Sequence, residues 1–255
     1  MKFTIVTPSY NKGAFIDRTI QSVLTQEDSA VELDYLILDN CSTDQTEDVL
    51  RQYESLPQVR IFRRRDRSQA DAINNGWLQG QGEILAWLNA DDVYLESALT
   101  QVADYFQTHP EVMALYGEAV YLDEWDQVLK PVTNIRDYSP QNLLSHDFIT
   151  QPATFLRREV FEQVGLLNIH YRYVFDWDYW IRVSQQYEFI RVPYYLAGYR
   201  VTGENLTTTG KQRRLREMVQ VVWRYGGLIH LLRFLWRLLQ KYLRRDVEIP
   251  SVASQ

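Results

Sequence analysis

The run Ile84-Leu85-Ala86-Trp87-Leu88 offers no polar face and stops abruptly at Asn89-Ala90-Asp91-Asp92. A run so short and apolar, entered from Gly82, reads as a strand buried on both sides, as in a parallel sheet. Parallel α/β sheets place their ligands beyond the carboxyl ends of their strands. Asp91 and Asp92 stand at such an end. Two adjacent carboxylates repel, and a divalent cation is the usual remedy. The other reading is a helix N-terminus, with Asn89 or Asp91 as cap and Asp92 favoured by the dipole. This stretch alone fits both.

The rest of the chain supplies what a parallel sheet needs. Strand patterns at 2–7, 33–38, 59–62 and 84–88 alternate with helical patterns at 15–24, around 49–53 and at 68–78. That alternation predicts parallel strands joined by right-handed crossovers. A helix over 96–107 and a strand over 112–116 continue it. Residues 117–150 are less regular and rich in Tyr, Asp and Pro, as a functional surface or lid would be. Short helices at 158–164 and 178–186 and short strands at 189–192 and 197–201 complete the body. Loop 203–210 has the composition of a lid. The expected fold class is α/β, a mostly parallel sheet flanked by helices.

Three strand ends then converge: Pro8-Ser9-Tyr10, Asp39, and Asn89 to Asp92. A carboxylate such as Asp39 can accept a hydrogen bond from a base N–H, and a ring such as Tyr10 can cover a base face. Asp39 also reads as a helix cap, and Ser42 or Thr43 can cap the helix after it. No Gly-x-Gly-x-x-Gly and no Walker lysine occur, which argues against a dinucleotide fold or a P-loop NTPase. The single cysteine, Cys41, excludes an intramolecular disulfide and fits a reducing compartment. No secretory signal precedes the first strand and no segment is apolar enough to span a bilayer, so a cytoplasmic location is expected.

Four motifs occur in order: Thr7-Pro8-Ser9-Tyr10-Asn11, Asp39-Asn40-Cys41-Ser42-Thr43-Asp44, Gln69-Ala70-Asp71-Ala72-Ile73-Asn74-Asn75-Gly76 and Trp87-Leu88-Asn89-Ala90-Asp91-Asp92. Together they resemble glycosyltransferase family 2, inverting nucleotide-sugar enzymes of the GT-A (Rossmann-like) fold, over about residues 3–205. The resemblance implies that Pro8, Tyr10 and Asp39 hold the base, and that Arg67, Gln69 and Asp71 lie against ribose and diphosphate. It implies that Asp91, supported by Asp92, carries Mg²⁺ or Mn²⁺ on the diphosphate, with Asn89 in place of the first Asp of the family's DxD motif. It makes Asp176 the base that deprotonates the acceptor, with Asp178 orienting the helix or the acceptor. Gln151-Pro152-Ala153-Thr154 would lie near the donor sugar, and Arg200 would neutralise the diphosphate. Two positions depart from the pattern: Phe175 stands where an acidic residue is usual, and Thr202 where a His is usual. A hydroxyl is a far weaker metal ligand than imidazole. Trp177 and Trp180 suit either sugar stacking or a core stripe; core is favoured for Trp180.

Residues 211–245 hold ten Lys/Arg and one acid, Glu217, leaving −15 on the remainder. The division expected is a GT-A domain over 1–210 and a basic helical extension over 211–255. Across 226–245, Leu228, Leu232, Leu235, Leu239 and Tyr242 share a face widened by Leu231, Phe234, Trp236 and Leu238. Arg233, Arg237, Lys241 and Arg244 line another. This pattern suits a helix lying on the inner, anionic face of a membrane; its own domain or a second copy are the alternatives. The partners expected are therefore a nucleotide-sugar donor, UDP-sugar above others, and a glycan or lipid-linked acceptor. Nucleic acid is not among them, because the body is acidic and the tail's cations are interleaved with aliphatics. Two other classes stay open: a non-catalytic nucleotide-sugar binder and a polyprenyl-phosphate sugar transferase.

Overall fold

A computed structural model describes residues 1–202 and 210–244. The expected lid over 203–210 therefore lies, apart from Gly210, outside the described residues. The chain folds around one sheet of nine strands, ordered β3-β2-β1-β4-β8-β6-β9-β5, with β7 paired to β6. Its first half is built as the sequence predicts. β1 (Lys2–Ser9), β2 (Glu32–Asp39), β3 (Val59–Arg63) and β4 (Ile84–Trp87) are all parallel, with β2 and β4 flanking β1. Between them run α1 (Ile16–Leu24), α2 (Thr46–Arg51) and α3 (Gln69–Gln79). The register sets Ser9 beside Asp39 and Val6 beside Trp87, so these strands end at nearly one level.

The second half is mixed. After β5 (Val93–Tyr94) and α4 (Ala98–Thr108), β6 (Ala114–Leu122) runs parallel to β9 (Phe189–Arg200). β8 (Thr154–Arg157) lies antiparallel between β4 and β6. The region 117–150 is more regular than expected, since β6 continues to Leu122 and turns back as β7 (Val128–Pro131) before α5 (Pro140–Leu143). The two short late strands are one strand, β9. Pro193 cannot donate to a ladder, and the register shift opposite Gly117 takes it up.

α6 (Arg158–Val164) follows β8, and α7 (Phe175–Ser184) begins earlier than expected, with Asp176 in its first turn. α7 is fixed to the sheet by rings: Trp180 stacks on Trp87 at 5.3 Å and Phe175 tilts against it at 6.2 Å. Phe175, which stands where the resemblance leads one to expect an acid, thus fills an apolar contact. Trp177 and Trp180 are both buried core residues, not sugar platforms.

α8 (Lys211–Arg244) starts well before residue 226 and is broken at Gly227, whose φ of 61° and ψ of −159° leave the helical region. A left-handed φ there is inexpensive only for glycine. The boundary expected at 210 does not separate two cores. Val221, Val222 and Phe234 belong to the same hydrophobic cluster as the sheet.

Candidate active site

The loops after β1 and β2 are laced together. Asp39, at the end of β2, is buried and accepts the backbone N–H of Ser42 at 2.9 Å and its hydroxyl at 2.5 Å. Ser42 Oγ accepts the N–H of Asn11, and Asn11 Oδ1 accepts that of Thr43. Asp44, not Ser42 or Thr43, supplies the oxygen at the start of α2, accepting from the N–H and hydroxyl of Thr46. Its other oxygen accepts Gly13 N–H at 2.9 Å. A Cβ on Gly13 would sit 2.8 Å from Thr46 N, so only glycine permits this approach. The lacing leaves Tyr10 exposed above the buried Pro8. Asp39 shapes the loop and still ends the strand beside Ser9, where the base is expected.

α3 opens beside them. Ser68 caps it by accepting Asp71 N–H. Arg67 forks onto Asp71 at 2.9 and 3.2 Å, which holds that carboxyl below its usual range. Gln69 donates to Asn89 Oδ1 at 2.7 Å. Asn89 in turn donates to Asp92 at 3.0 Å and to Gln151 at 3.1 Å, while Gln151 donates to Trp87 O. Asn89 and Gln69 therefore tie α3, β4 and the 3-10 turn Gln151–Ala153 into one frame, and their polar groups are occupied by one another.

The two adjacent carboxylates have separate fates. Asp92 is fully buried and accepts from Arg200 N–H at 3.0 Å and from Asn89. Burial, then the neighbouring Asp91, pushes its carboxyl up to about 8. It is a framework residue, in keeping with a place that supports Asp91 rather than one that binds metal directly. Arg200, expected beside the diphosphate, is part of the same frame. It is buried, donates to Asp91 O at 2.8 Å and Asp123 O at 3.0 Å, and pairs with Asp126, so it fixes the loop carrying Asp91.

Asp91 is buried as well but turns away from that frame, and its Oδ2 meets the ammonium of Lys12 at 2.7 Å. Lys12 had no role in the sequence reading. Its one sequence signal was its place between a strand end and a close-packed glycine. The pair bridges the ends of β1 and β4. Among the described residues no group of three His, Cys, Asp or Glu is placed to hold a metal. Asp91 thus belongs to no such group, and Thr202 is buried. Mg²⁺ or Mn²⁺ commonly uses one or two carboxylates and takes its other ligands from substrate phosphates and water. The residues fit a metal of that kind, borne by a diphosphate and touching the chain at Asp91.

The other half of the site lies at the start of α7. Asp176 is pushed up to about 6 by burial, against the opposing pull of Trp177 N–H, which it accepts at 2.8 Å, and of the Arg214 charge. Asp147 lies within its electrostatic reach and is raised well above the carboxylate range, by burial first and Asp176 second. Sequence reading missed Asp147 and Arg214, because they come from the loop after α5 and from α8. Asp178 is different. It is wholly buried, accepts Tyr225 hydroxyl at 2.8 Å and pairs with Arg182 at 3.1 Å, whose other nitrogens reach Val164 O and Leu166 O. Of the two roles expected beside Asp176, orienting the helix or the acceptor, this geometry fits the first: Asp178 is a tie between α7 and α8. Asp178→Ala should lower stability by about 2 kcal/mol, since it removes the buried acceptor shared by half-buried Arg182 and the half-buried Tyr225 hydroxyl. Urea unfolding read by tryptophan fluorescence measures this.

The family model described as Glycosyl transferase family 2 matches residues 4–165. A PGL/p-HBAD biosynthesis glycosyltransferase of Mycobacterium bovis is 31% identical over 186 residues, which span 71% of this chain and 68% of that one. The putative teichuronic acid biosynthesis glycosyltransferase TuaG of Bacillus subtilis is 23% identical over 93% of both chains. Among solved structures, S. aureus TarS 1–349 in complex with UDP-GlcNAc superposes with a TM-score of 0.69 at 14% identity, covering 97% of this chain and 77% of that one. The longer TarS chain is matched over 46% of its own length. The mannosyltransferase PcManGT from Pyrobaculum calidifontis, in complex with GDP-Man and Mn²⁺, gives a TM-score of 0.64 at 16% identity, covering 96% and 76%.

Proposed function

The chain belongs to glycosyltransferase family 2, and on that premise we propose that it moves a sugar from a nucleoside-diphosphate donor, UDP-sugar above others, to a glycan or lipid-linked acceptor with inversion. One observation carries this reading. Asp39 ends β2 and Asp91 lies in the loop just past β4, the two parallel strands on either side of β1, and α7, which packs on β4 through Trp87, presents Asp176 with its proton affinity raised. The base would lie over Asp39 and Pro8 beneath Tyr10, with the ribose near Asp71. The diphosphate would then fall between Lys12 and Asp91.

In the reaction, Asp176 takes the proton of the acceptor hydroxyl as that oxygen bonds to the anomeric carbon. The bond from that carbon to the diphosphate oxygen breaks on the opposite face, and the nucleoside diphosphate leaves with the electron pair. Lys12 supplies positive charge at Asp91 for the leaving group, and Arg200 keeps the Asp91 loop in place. Asp91 would hold a divalent metal arriving with the donor, which would supply further neutralisation of the diphosphate. Oxygens of Asn89 and Asp92 are already satisfied within the frame.

UDP-sugars with and without Mn²⁺ test the proposal, with water serving as acceptor. Rapid proton NMR of the sugar released from an α-linked donor should show the β-anomer first. Release of the α-anomer would overturn inversion, and no release from any donor would favour the binding-only alternative. The pH profile has a set sign. Asp176 works as a base only when deprotonated, and its carboxyl is raised to about 6. Transfer should therefore rise about tenfold per pH unit below about 6 and level off above it. A profile flat from pH 5 to 8 would remove Asp176 as the base.

A further inference from the structure

Beyond Gly227, α8 has two apolar faces. Phe234 is buried beside Trp177, with ring centroids 6.2 Å apart, and Leu231 and Leu238 pack with it. Arg237 reaches Ser145 Oγ at 3.3 Å on that side. The docked face therefore satisfies one of the sequence alternatives. It leaves a second stripe, Leu228, Ile229, Leu232, Leu235, Trp236 and Leu239, at helical spacing and each between 45% and 66% exposed. A continuous stripe of that kind on a helix is an interaction surface, unlike scattered exposed aliphatics.

We propose that this outward stripe rests on an anionic lipid surface. Charge carries the choice of occupant. Residues 211–245 hold ten Lys/Arg against one acid, on a chain whose remainder is −15. That acid, Glu217, is buried, accepting the N–H groups of Arg172 and Tyr173 and pairing with Arg213. It does not offset the cations at the surface, where Arg216, Arg224 and Arg233 are exposed. Exposed Trp223 and Trp236 add rings of the type favoured at a membrane–water interface. A two-fold dimer through the stripe would bring two such basic helices together, and like charges across an interface are costly. Anionic headgroups remove that cost. No described helix is long and apolar enough to cross a membrane, so the contact is along the surface.

The consequence is positional. α8 touches α7 through Phe234 on Trp177 and Tyr225 on Asp178, the residues next to Asp176. A lipid-bound α8 would hold the acceptor carboxylate near the headgroups. The inference is independent of the donor and of the transfer step.

The test is co-sedimentation of the full chain with vesicles of phosphatidylglycerol and phosphatidylcholine, and with phosphatidylcholine alone. Wild type should pellet with the mixed vesicles only, and release should follow a rise in salt. The double variant Leu232→Glu/Trp236→Glu should lose at least about tenfold in partitioning, with its thermal midpoint and UDP binding unchanged. Arg216→Gln/Arg233→Gln, at two exposed positions outside the apolar stripe, should weaken anionic binding to a similar degree. Equal pelleting of variants and wild type, or equal binding to neutral vesicles, would overturn the proposal. So would failure of wild type to bind vesicles. Light scattering that shows a dimer dissolved by Leu232→Glu/Trp236→Glu, with no vesicle binding, would assign the stripe to a second copy instead.

Discussion

Asp176→Asn should reduce transfer to acceptor by about a thousandfold, within the span set by loss of a positioned general base. The donor should still bind within about twofold of wild type, since nothing in its expected path touches Asp176. The substitution is conservative in shape. The amide oxygen can keep accepting Trp177 N–H, so the first turn of α7 should hold. What is lost is a carboxylate able to accept the hydroxyl proton. Steady-state transfer with a titration of UDP on the same preparation separates the two effects. Full activity in Asp176→Asn would leave Asp147 as the nearest replacement, because it is the carboxylate electrostatically linked to Asp176.

The second large effect concerns the cation at the donor end. Asp91→Ala should lower donor turnover by about a hundredfold or more, because it removes the chain's contact for a diphosphate-borne metal and sets Lys12 free. Lys12→Met should act in the opposite direction on metal. In the structure the ammonium already occupies Asp91 Oδ2 at 2.7 Å, so a metal must displace it. Removing it should tighten Mn²⁺ about tenfold in the presence of UDP, as read by electron paramagnetic resonance of free Mn²⁺, and should weaken metal-free binding of UDP. If Lys12→Met leaves both affinities unchanged, Lys12 has no part in the donor site. If chelation of metal leaves wild-type turnover intact, Lys12 suffices as the cation and the expected metal dependence is lost.

These two predictions rest on residues that differ in how far the sequence revealed them. The β1–β4 half was legible because each parallel strand is a short apolar run ended by turn chemistry, and each crossover keeps helical periodicity. That legibility extended to Asp39, Asp71, Asp91 and Asp176 as positions of interest. The mixed half was not, because β8 and β9 gain their neighbours from far along the chain. β9 also carries Pro193, which breaks any local strand signal. The different fates of Asp91 and Asp92 were hidden for the same reason. They are adjacent, yet Asp92 is turned inward by the backbone of Arg200, which lies 108 residues away. Asp178 was expected to orient either the helix or the acceptor, and the choice was hidden because its partner Tyr225 sits on α8, a helix the sequence assigned to an appendage. Lys12 was missed because its meaning lies wholly in a contact with Asp91, 79 residues on.

The claim on which the rest depends is that the ends of β1, β2 and β4 form a pocket for a nucleoside diphosphate. Thermal unfolding of the full chain with UDP, GDP, ADP and CDP, each with and without Mn²⁺, measures it directly. A ligand at about 100 times its Kd adds roughly 2.7 kcal/mol to stability, a readily visible rise in midpoint. UDP should raise the midpoint of wild type, and Asp39→Ala should abolish the rise. A wild-type midpoint unmoved by every one of these diphosphates, or an Asp39→Ala chain that responds as wild type does, would contradict the account.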